Sequence, residues 1–478
     1  MNIRINMISA LLICMISISY FALAYKYVHT GNFNNDEGFY LLSAKKVMDG
    51  EVPYRDFGYN QMPLLPYLNG ALMKLVGFGF VEQRYVNALW GALLLVLIII
   101  MGISYKDPKP ILFAGLILST SPYWIYYTCI GKTYAATSFF MVLTVFGLLF
   151  PKRYHNKVII SLIGGLPAIG CRLPVAPFVF LLWGILFLQG KTHKERIITA
   201  CLYLIACIVL FLPFYLADPE NFLFWNIEYN TGSTLNRRGW TSVYELFTLA
   251  PGSLLLAFFG IVILIKNFQN HKVYEFGIFF TAIMGILFHS LLRSSWGEYS
   301  TPFIAILSLG AAIVASKSKA FNILIIIVLL SPIIYLKASL PAAKQNIVAL
   351  IQEPADFIKS NISKGAKILT PFPIVAVQAG FDVVKGTAMG KFGLTTEIEI
   401  ERARRLGLLP YGDLISLVEA KTSKAVVLWN NQCLWNFYFT APSLKPVNID
   451  WRRVFCQKLS ENYYIAFSNT MFLVLLPK

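Results

Sequence analysis

Long apolar segments separated by short basic loops constrain this chain more than any other feature of its sequence. A bilayer core needs about 20 consecutive apolar residues for each transmembrane helix. Segments of that kind recur over most of residues 1–337, and only 14% of all residues are charged, against about 25% in soluble domains. The sequence therefore predicts a polytopic α-helical membrane protein. It excludes an ordinary soluble enzyme and a disordered chain.

We predict about eleven transmembrane helices from these segments. Their approximate bounds are residues 5–27, 84–104, 111–127, 133–150, 158–171, 174–189, 197–216, 247–265, 274–292, 301–315 and 320–337. The first segment could instead be a cleaved signal peptide, with Ala22-Leu23-Ala24 as a small-residue cleavage site. Its apolar run is longer than the roughly 7–15 residues of such a region, which favours a transmembrane helix.

Basic residues set the expected orientation. The chain has 41 Lys and Arg against 24 Asp and Glu, a net charge of +17. The basic residues gather in alternate short loops, which the positive-inside rule assigns to the cytoplasm. We therefore expect a cytoplasmic N-terminus, an extracytoplasmic C-terminus, and a location in a prokaryotic plasma (inner) membrane among membrane lipids. Because topology accounts for the positive charge, we expect no nucleic-acid partner.

Two regions on the expected outer side are too long to be turns. The first outer loop covers about 28–83, and hydropathy falls again after residue 337. We predict a transmembrane domain over 1–337 and an extracytoplasmic α/β domain over 338–478. The tail pattern indicates helices near 347–362, 398–406 and 413–420 and strands at 366–370 and 425–429.

The cysteines and histidines indicate no metal cage. The seven Cys and five His are scattered along the chain, without the close spacing of metal ligands. The sequence indicates no cofactor; a divalent metal is compatible with it but not indicated by it. Cys433 and Cys456 both lie in the tail, where they form either a disulfide, as an oxidising compartment permits, or two free buried thiols.

The first loop carries the strongest candidates for chemistry. Asp36 and Glu37 are adjacent carboxylates just after the first apolar segment, and amphipathic stretches follow that we expect to lie along the membrane surface. Long ordered loops are usually functional. A carboxylate there could take a proton from an acceptor hydroxyl, while Arg or Lys holds a phosphate leaving group. The alternative is a pair of solvated acids beside a belt of interfacial aromatic residues.

Three blocks of this loop resemble a known family signature. They are Asp36–Ala44, Gly50–Phe57 and Gln61–Tyr67. Together they resemble the first loop of polyprenyl-phosphate-sugar-dependent glycosyltransferases of the GT-C class, which includes the protein O-mannosyltransferase and lipid A aminoarabinose transferase families. The resemblance implies a GT-C fold and a metal-optional, inverting transfer of a sugar from a polyprenyl-phosphate donor to a glycan, lipid or protein acceptor. It implies Asp36 as general base and Glu37 as a second acid that orients the acceptor or Asp36.

Other polar and aromatic residues are candidates for binding substrate. They are Tyr40, Arg55, Tyr59, Gln61 and Arg84 in or beside the first loop, and Lys132, Arg172, Arg293, Glu298 and Tyr299 at the outer ends of later helices. The chain departs from its relatives in two ways. Gln61 stands near the position where some members of the resembled families carry a phosphate-binding Lys or His, so Arg55 and Arg84 are the alternative candidates to supply the charge. The turn 129–135 lacks the second aspartate that relatives often have.

Two other classes of function remain open from the sequence. One is an oligosaccharide ligase or polymerase that uses polyprenyl diphosphate, whose site we would expect to depend on arginines and a late loop. The other is a lipid or solute transporter, which would place ionisable groups near the membrane midplane. Charged residues gather at segment ends here, which favours surface chemistry. We expect the tail to face the acceptor or to act as a lid, and we expect no ligand role for the histidines, including His289.

Overall fold

The computed structural model describes residues 6–105, 107–231, 244–247, 250–266, 273–291, 296–316, 345–395, 398–430 and 450–478. The chain forms two compact units. The first unit contains the described residues of 1–31, 87–210 and 236–342, and the second contains those of 32–86, 211–235 and 343–478. The expected division into domains 1–337 and 338–478 stays a prediction, because its boundary falls outside the described residues.

Helices make up most of the described residues before residue 345. They are α1 (Met7–Thr30), α2 (Glu37–Met48), α3 (Leu64–Val76), α4 (Phe80–Ser104), α5 (Lys109–Ser119), α6 (Pro122–Cys129), α7 (Tyr134–Leu149), α8 (Tyr154–Cys171), α9 (Ala176–Gln189), α10 (His193–Ala217), α11 (Pro219–Leu223), α12 (Tyr229–Thr231), α13 (Pro251–Lys266), α14 (Val273–Leu291) and α15 (Thr301–Ala315). A π-helical turn, Phe224–Glu228, joins α11 to α12.

Five helical segments among the described residues are long and apolar enough to cross a membrane. They are Met7–Thr30, Phe80–Ser104, His193–Ala217, Tyr274–Leu291 and Gly297–Ala315. The helix α1, for example, has 24 residues and so extends about 36 Å at 1.5 Å per residue, enough for a hydrocarbon core of about 30 Å. These helices confirm the prediction of a polytopic α-helical membrane protein.

The count of eleven transmembrane helices is not confirmed. Five described helices meet the criteria of length and composition, or six if α6 and α7, which meet at a bend of 109°, are taken as one broken span. The predicted span 111–127 is interrupted, because Ser121 accepts a hydrogen bond from the Trp124 amide and starts a new helix with Pro122 in its first turn. The predicted span 320–337 lies outside the described residues.

The helix α15 is the centre of the first unit. All of its residues are buried, and it packs against α5, α7, α13 and α14. Close helix approach elsewhere in this unit depends on glycine: a Cβ at Gly147 would lie 2.5 Å from the Ser161 amide nitrogen, and one at Gly164 would lie 2.5 Å from that of Thr144. The helices α7 and α8 therefore cross in backbone contact, as small residues permit in membrane proteins.

A mixed sheet organises the tail part of the second unit. Its strands are β1 (Lys367–Leu369), β2 (Asp382–Val383), β5 (Ala425–Trp429), β6 (Tyr463–Ser468) and β7 (Phe472–Pro477), in the order β2-β1-β5-β7-β6. The strand β1 is parallel to β2 and β5, whereas β7 is antiparallel to β5 and β6. A separate parallel pair is formed by β3 (Leu394–Thr395) and β4 (Leu409–Pro410).

The tail helices surround this sheet. They are α16 (Ile347–Asn361), α17 (Pro373–Gln378), α18 (Ile400–Arg405), α19 (Tyr411–Glu419) and α20 (Asp450–Asn462). Each helix and strand that the sequence indicates in the tail has a counterpart within a few residues, and together they form an α/β arrangement. Cys456 on α20 is disulfide-bonded; Cys433 lies outside the described residues, so their pairing stays a prediction.

The second unit also contains the helices of the first loop. Both amphipathic stretches expected there are helical, as α2 and α3. The helix α2 packs directly on α17 of the tail, because a Cβ at Gly38 would lie 2.9 Å from the Ile374 amide nitrogen. Lys46 of α2 pairs with Glu51 and with Asp382 of β2. The tail therefore supports the helix that begins at Glu37, directly after Asp36.

Candidate functional site

The first group of candidate residues lies at the start of α2 in the second unit. Asn34 forms the turn before this helix: its side-chain oxygen accepts from the Asp36 amide at 3.1 Å, and its carbonyl accepts from the Glu37 amide at 3.0 Å. Asp36 occupies the N-cap position and is partly exposed, and its side chain makes no capping hydrogen bond to the helix. A carboxylate at this end is favoured by the positive end of the helix dipole.

Glu37 points into the protein and pairs with Arg84. The two guanidinium nitrogens Nε and Nη2 donate to Oε2 and Oε1 of Glu37 at 2.8 and 2.7 Å, and both side chains are fully buried. The Asn34 amide also donates to Oε1 of Glu37, at 3.1 Å. Arg84 donates further to the Asn32 carbonyl at 2.9 Å. This pair therefore ties together residues 32–37, the segment that contains Asp36.

Aromatic side chains pack beside this segment. Tyr40 and Tyr59 are buried with their ring centroids 6.3 Å apart, and Phe39 lies next to both. Tyr229 is a residue that the sequence analysis missed. Burial raises the pKa of its hydroxyl, and the negative charge of Asp36 raises the pKa further. The Asp36 carboxylate thus acts electrostatically on Tyr229; the aromatic content of 224–229 was the available sequence signal.

Arg55 and Gln61 lie further along the first loop. Arg55 is exposed and makes a two-point contact with its neighbour Asp56, at 3.0 Å from Nε and 2.8 Å from Nη2. The hydrogen bond from Arg55 lowers the pKa of the Asp56 carboxyl below its usual value. The backbone carbonyl of Gln61 accepts from the Tyr54 hydroxyl at 2.6 Å, and Gln61 is partly exposed. Both residues remain candidates for substrate contact.

The second group of candidates forms a cluster in the first unit. Lys132 in the turn before α7 donates to Oε1 of Glu298 at 2.7 Å, and the Tyr134 hydroxyl donates to the same oxygen at 2.9 Å. Glu298 belongs to a short 3₁₀ turn, Gly297–Ser300, which leads into α15. Sequence separations of 166 and 164 residues made these contacts invisible to local sequence patterns.

Arg172 joins the same cluster from the end of α8. Its guanidinium lies 4.9 Å from the Tyr134 ring centroid and 4.7 Å from that of Tyr299, and its Nη1 donates to the Thr133 hydroxyl at 3.3 Å. Contacts of a guanidinium with aromatic faces stabilise the charge when it is removed from water. The structure therefore brings four predicted residues together: Lys132, Arg172, Glu298 and Tyr299. Arg293 lies outside the described residues.

His289 is a further member of this cluster that the sequence analysis set aside. It is buried on α14, with its ring centroid 6.0 Å from that of Tyr299. Its position in an apolar segment gave no sign of these neighbours. Within the described ranges, no group of three or more His, Cys, Asp or Glu side chains is arranged to hold a metal ion.

Comparison with known proteins identifies the fold. No protein-family model matches the chain, and no curated protein matches it. Among solved structures, ArnT from Cupriavidus metallidurans is similar in its apo state, with a TM-score of 0.67, 13% identity, and coverage of 98% of this chain and 97% of that chain. The same protein bound to undecaprenyl phosphate gives a TM-score of 0.66, 11% identity and the same coverage.

A third similar structure is the arabinofuranosyltransferase AftD from Mycobacteria. It gives a TM-score of 0.53 at 11% identity, over 98% of this chain and 40% of that chain. These similarities define the class: the chain has the GT-C glycosyltransferase fold. The fold that the first-loop resemblance implies is therefore confirmed, and at these identities the similarity concerns the fold.

Proposed function

We propose that this protein is a membrane glycosyltransferase that moves a sugar from a polyprenyl-phosphate donor to an extracytoplasmic glycan, lipid or protein acceptor. The transfer inverts the configuration at the anomeric carbon of the sugar. The observation that carries the proposal is the partly exposed Asp36 carboxylate, held at the start of α2 by the buried Glu37–Arg84 pair in a GT-C fold. Among proteins of similar structure, ArnT binds undecaprenyl phosphate, which supports a polyprenyl-phosphate donor.

Asp36 acts as the general base. The acceptor oxygen attacks the anomeric carbon of the donor sugar, and its proton passes to an Asp36 carboxylate oxygen. The bond from the anomeric carbon to the phosphate oxygen breaks, and polyprenyl phosphate leaves with the electron pair. One displacement from the face opposite the phosphate inverts the configuration at that carbon.

Glu37 and Arg84 orient Asp36 rather than exchange protons or contact phosphate. Both oxygens of Glu37 accept hydrogen bonds from Arg84, and Oε1 accepts one more from Asn34. Both oxygens of Glu37 are therefore engaged by the Arg84 guanidinium and the Asn34 amide. Arg84 in turn is committed to Glu37 and the Asn32 carbonyl. The pair therefore serves catalysis by fixing the segment that carries Asp36.

The cluster of the first unit binds the donor phosphate. Lys132 and Arg172 supply positive charge, and the Tyr299 hydroxyl can donate a hydrogen bond. Charge-assisted hydrogen bonds of this kind stabilise the negative charge that develops on a leaving phosphate. Tyr40 and Tyr59 are buried in the structure, and a contact of their rings with a sugar or an isoprenoid stays a prediction.

Replacement of Asp36 tests the proposal. Asp36→Asn keeps the size of the side chain but replaces one acceptor oxygen with an NH2 donor and removes the basic carboxylate, so we expect transfer to fall by about 10²–10⁴-fold with unchanged expression and melting temperature. The matched control is Asp49→Asn at the other end of α2, where Asp49 is exposed and pairs with Lys45. Full activity of Asp36→Asn would eliminate the mechanism.

The donor and acceptor can be identified together. Mass spectrometry of the cell-surface glycans with and without the gene should show a sugar missing from one acceptor in its absence. The Asp36→Asn variant should reproduce the glycan profile of the deletion strain, and the Asp49→Asn variant should restore the wild-type profile. An identical profile with and without the gene would contradict the assignment as a glycosyltransferase of surface glycans.

A further inference from the structure

His289 combines nearly complete burial with hydrogen-bonding atoms that have no partner among the described residues. The side chain is 1% exposed, and neither Nδ1 nor Nε2 has a hydrogen-bond partner in the described part of the chain. A neutral imidazole always carries one N–H donor and one acceptor nitrogen. Leaving both buried without partners destabilises the fold, so such groups in native proteins call for a bound molecule or another explanation.

The protein surroundings of His289 are aromatic. The ring centroids of Phe178, Phe288, Tyr299 and Phe303 lie 6.4, 5.4, 6.0 and 5.3 Å from that of the imidazole. These rings confine the imidazole and restrict its orientation, but their carbon atoms accept no ordinary hydrogen bond from its N–H group. Within the described part of the chain, the N–H group is therefore held in place but donates to no neighbouring side chain.

The charge next to His289 selects the chemistry of its partner. Arg172 interacts electrostatically with the imidazole, and its guanidinium lies against the face of the same Tyr299 ring, at 4.7 Å. A permanently positive group repels a cation or a protonated imidazole, but it attracts an anion to the neutral N–H donor. Phosphate suits such a position because its oxygens accept hydrogen bonds from several directions at once.

We infer that His289 is a positioning residue for the donor, whose N–H group donates a hydrogen bond to a non-bridging oxygen of an isoprenoid phosphate bound beside Arg172. The inference rests on the proposed function, which places the donor phosphate in this cluster. It adds a neutral donor to the charged ones. A fixed N–H group aligns the phosphate, whereas Arg172 and Lys132 provide the attraction.

The test compares three variants of the full-length protein in lipid nanodiscs. His289→Phe removes the hydrogen-bonding atoms and keeps an aromatic ring, and His289→Gln retains an N–H donor. The matched control is His155→Gln, because His155 is exposed at the start of α8. The probes are undecaprenyl phosphate and undecaprenol, measured by direct binding, together with the KM and kcat of donor turnover.

We expect His289→Phe to weaken binding of undecaprenyl phosphate and to raise the donor KM by about tenfold, with a smaller change in kcat. Binding of undecaprenol should stay the same, His289→Gln should recover most of the affinity, and His155→Gln should match the wild type. If His289→Phe does not fold, His289→Met, which is apolar and flexible, takes its place.

Two results would overturn the inference. Wild-type binding of undecaprenyl phosphate by the folded apolar variants would mean that His289 does not contact the phosphate. An equal loss of undecaprenyl phosphate and undecaprenol would mean that His289 shapes the path of the lipid tail instead. Direct binding is measured without any sugar transfer. A failure of the proposed function would therefore appear in a different experiment, as wild-type turnover by the Asp36→Asn variant.

Discussion

Two ion pairs, one fully buried in the second unit and one partly buried in the first, differ in how their carboxylate oxygens are contacted. In the Glu37–Arg84 pair both carboxylate oxygens accept from the guanidinium, and both side chains are 0% exposed. In the Lys132–Glu298 pair one carboxylate oxygen, Oε1, accepts from both Lys132 and Tyr134, and the side chains are 4% and 11% exposed. The first pair is a closed contact with fixed geometry, whereas a lysine ammonium can turn from a carboxylate to a phosphate.

This difference in geometry indicates different roles for the two ion pairs. Removing one partner of a bidentate buried pair strongly lowers the free energy of unfolding, because the other partner is left charged in a low-dielectric environment. We therefore interpret Glu37–Arg84 as the support of Asp36, and Lys132–Glu298 as a pair that can exchange its partner when a donor phosphate binds.

Breaking the closed pair should have the largest effect on stability. Arg84→Ala leaves the buried Glu37 carboxylate without its main partner, and we expect the free energy of unfolding to fall by about 3–5 kcal/mol. Thermal unfolding of the purified protein in detergent measures the change. The double variant Glu37→Met/Arg84→Met removes both charges and should recover part of the loss. A normal melting temperature together with lost transfer in Arg84→Ala would instead favour a direct role of Arg84 at the donor phosphate.

Changing the second pair should affect donor binding more than stability. Lys132→Met should raise the donor KM by about tenfold, because a charge-assisted contact to phosphate is lost. Glu298→Gln keeps an oxygen for Tyr134 but removes the charge that competes for Lys132, so its donor KM should fall or stay the same. Steady-state kinetics on both variants measures this split. Parallel increases in KM would show that the two residues act as one structural unit.

The half-buried contact between Lys46 and Asp382 should have a smaller effect. Lys46 is 10% exposed and Asp382 37% exposed, with 3.3 Å between Nζ and Oδ1. Since Lys46 keeps its second partner Glu51, Asp382→Asn should lower the free energy of unfolding by no more than about 1 kcal/mol. Thermal unfolding measures it. A loss as large as that of Arg84→Ala would mean that contact between α2 and β2 depends on this charge.

The exposed pair Arg404–Asp413 should have the smallest effect, and that effect should depend on pH. The hydrogen bond from Arg404 lowers the pKa of Asp413 in the folded protein. A lowered folded pKa adds stability above the unfolded value of about 3.9, and this stability is lost as pH falls through the folded pKa. Asp413→Asn should change the melting temperature at pH 7 by about 1 °C or less, and by less again at pH 3. A larger change at pH 3 than at pH 7 would contradict this sign.

The sequence alone predicted the parts of the protein that depend on local patterns. Apolar segments marked the long helices α1, α4 and α10, because burying a helix in a bilayer requires an unbroken apolar stretch. Alternation of strands and amphipathic helices marked the tail as α/β. The first-loop blocks around Asp36 identified the GT-C fold. The sequence did not predict the exact number of membrane-crossing helices. Helices such as α5, α6 and α9 are short or bent, and an apolar composition alone does not show whether such a helix crosses the membrane.

Tertiary structure decided how the candidate residues are used. Glu37 and Arg84 are 47 residues apart, and Lys132 and Glu298 are 166 residues apart, so no local periodicity could pair them. Long sequence separation likewise hid the relation of Tyr229 to Asp36 and of His289 to Arg172 from the sequence analysis. A side chain's charge and shape follow from its own identity, but its partner and its exposure follow from which distant helices pack against it. That is why the sequence could nominate Asp36 and Glu37 together, while only the fold separated a partly exposed acid from a buried one.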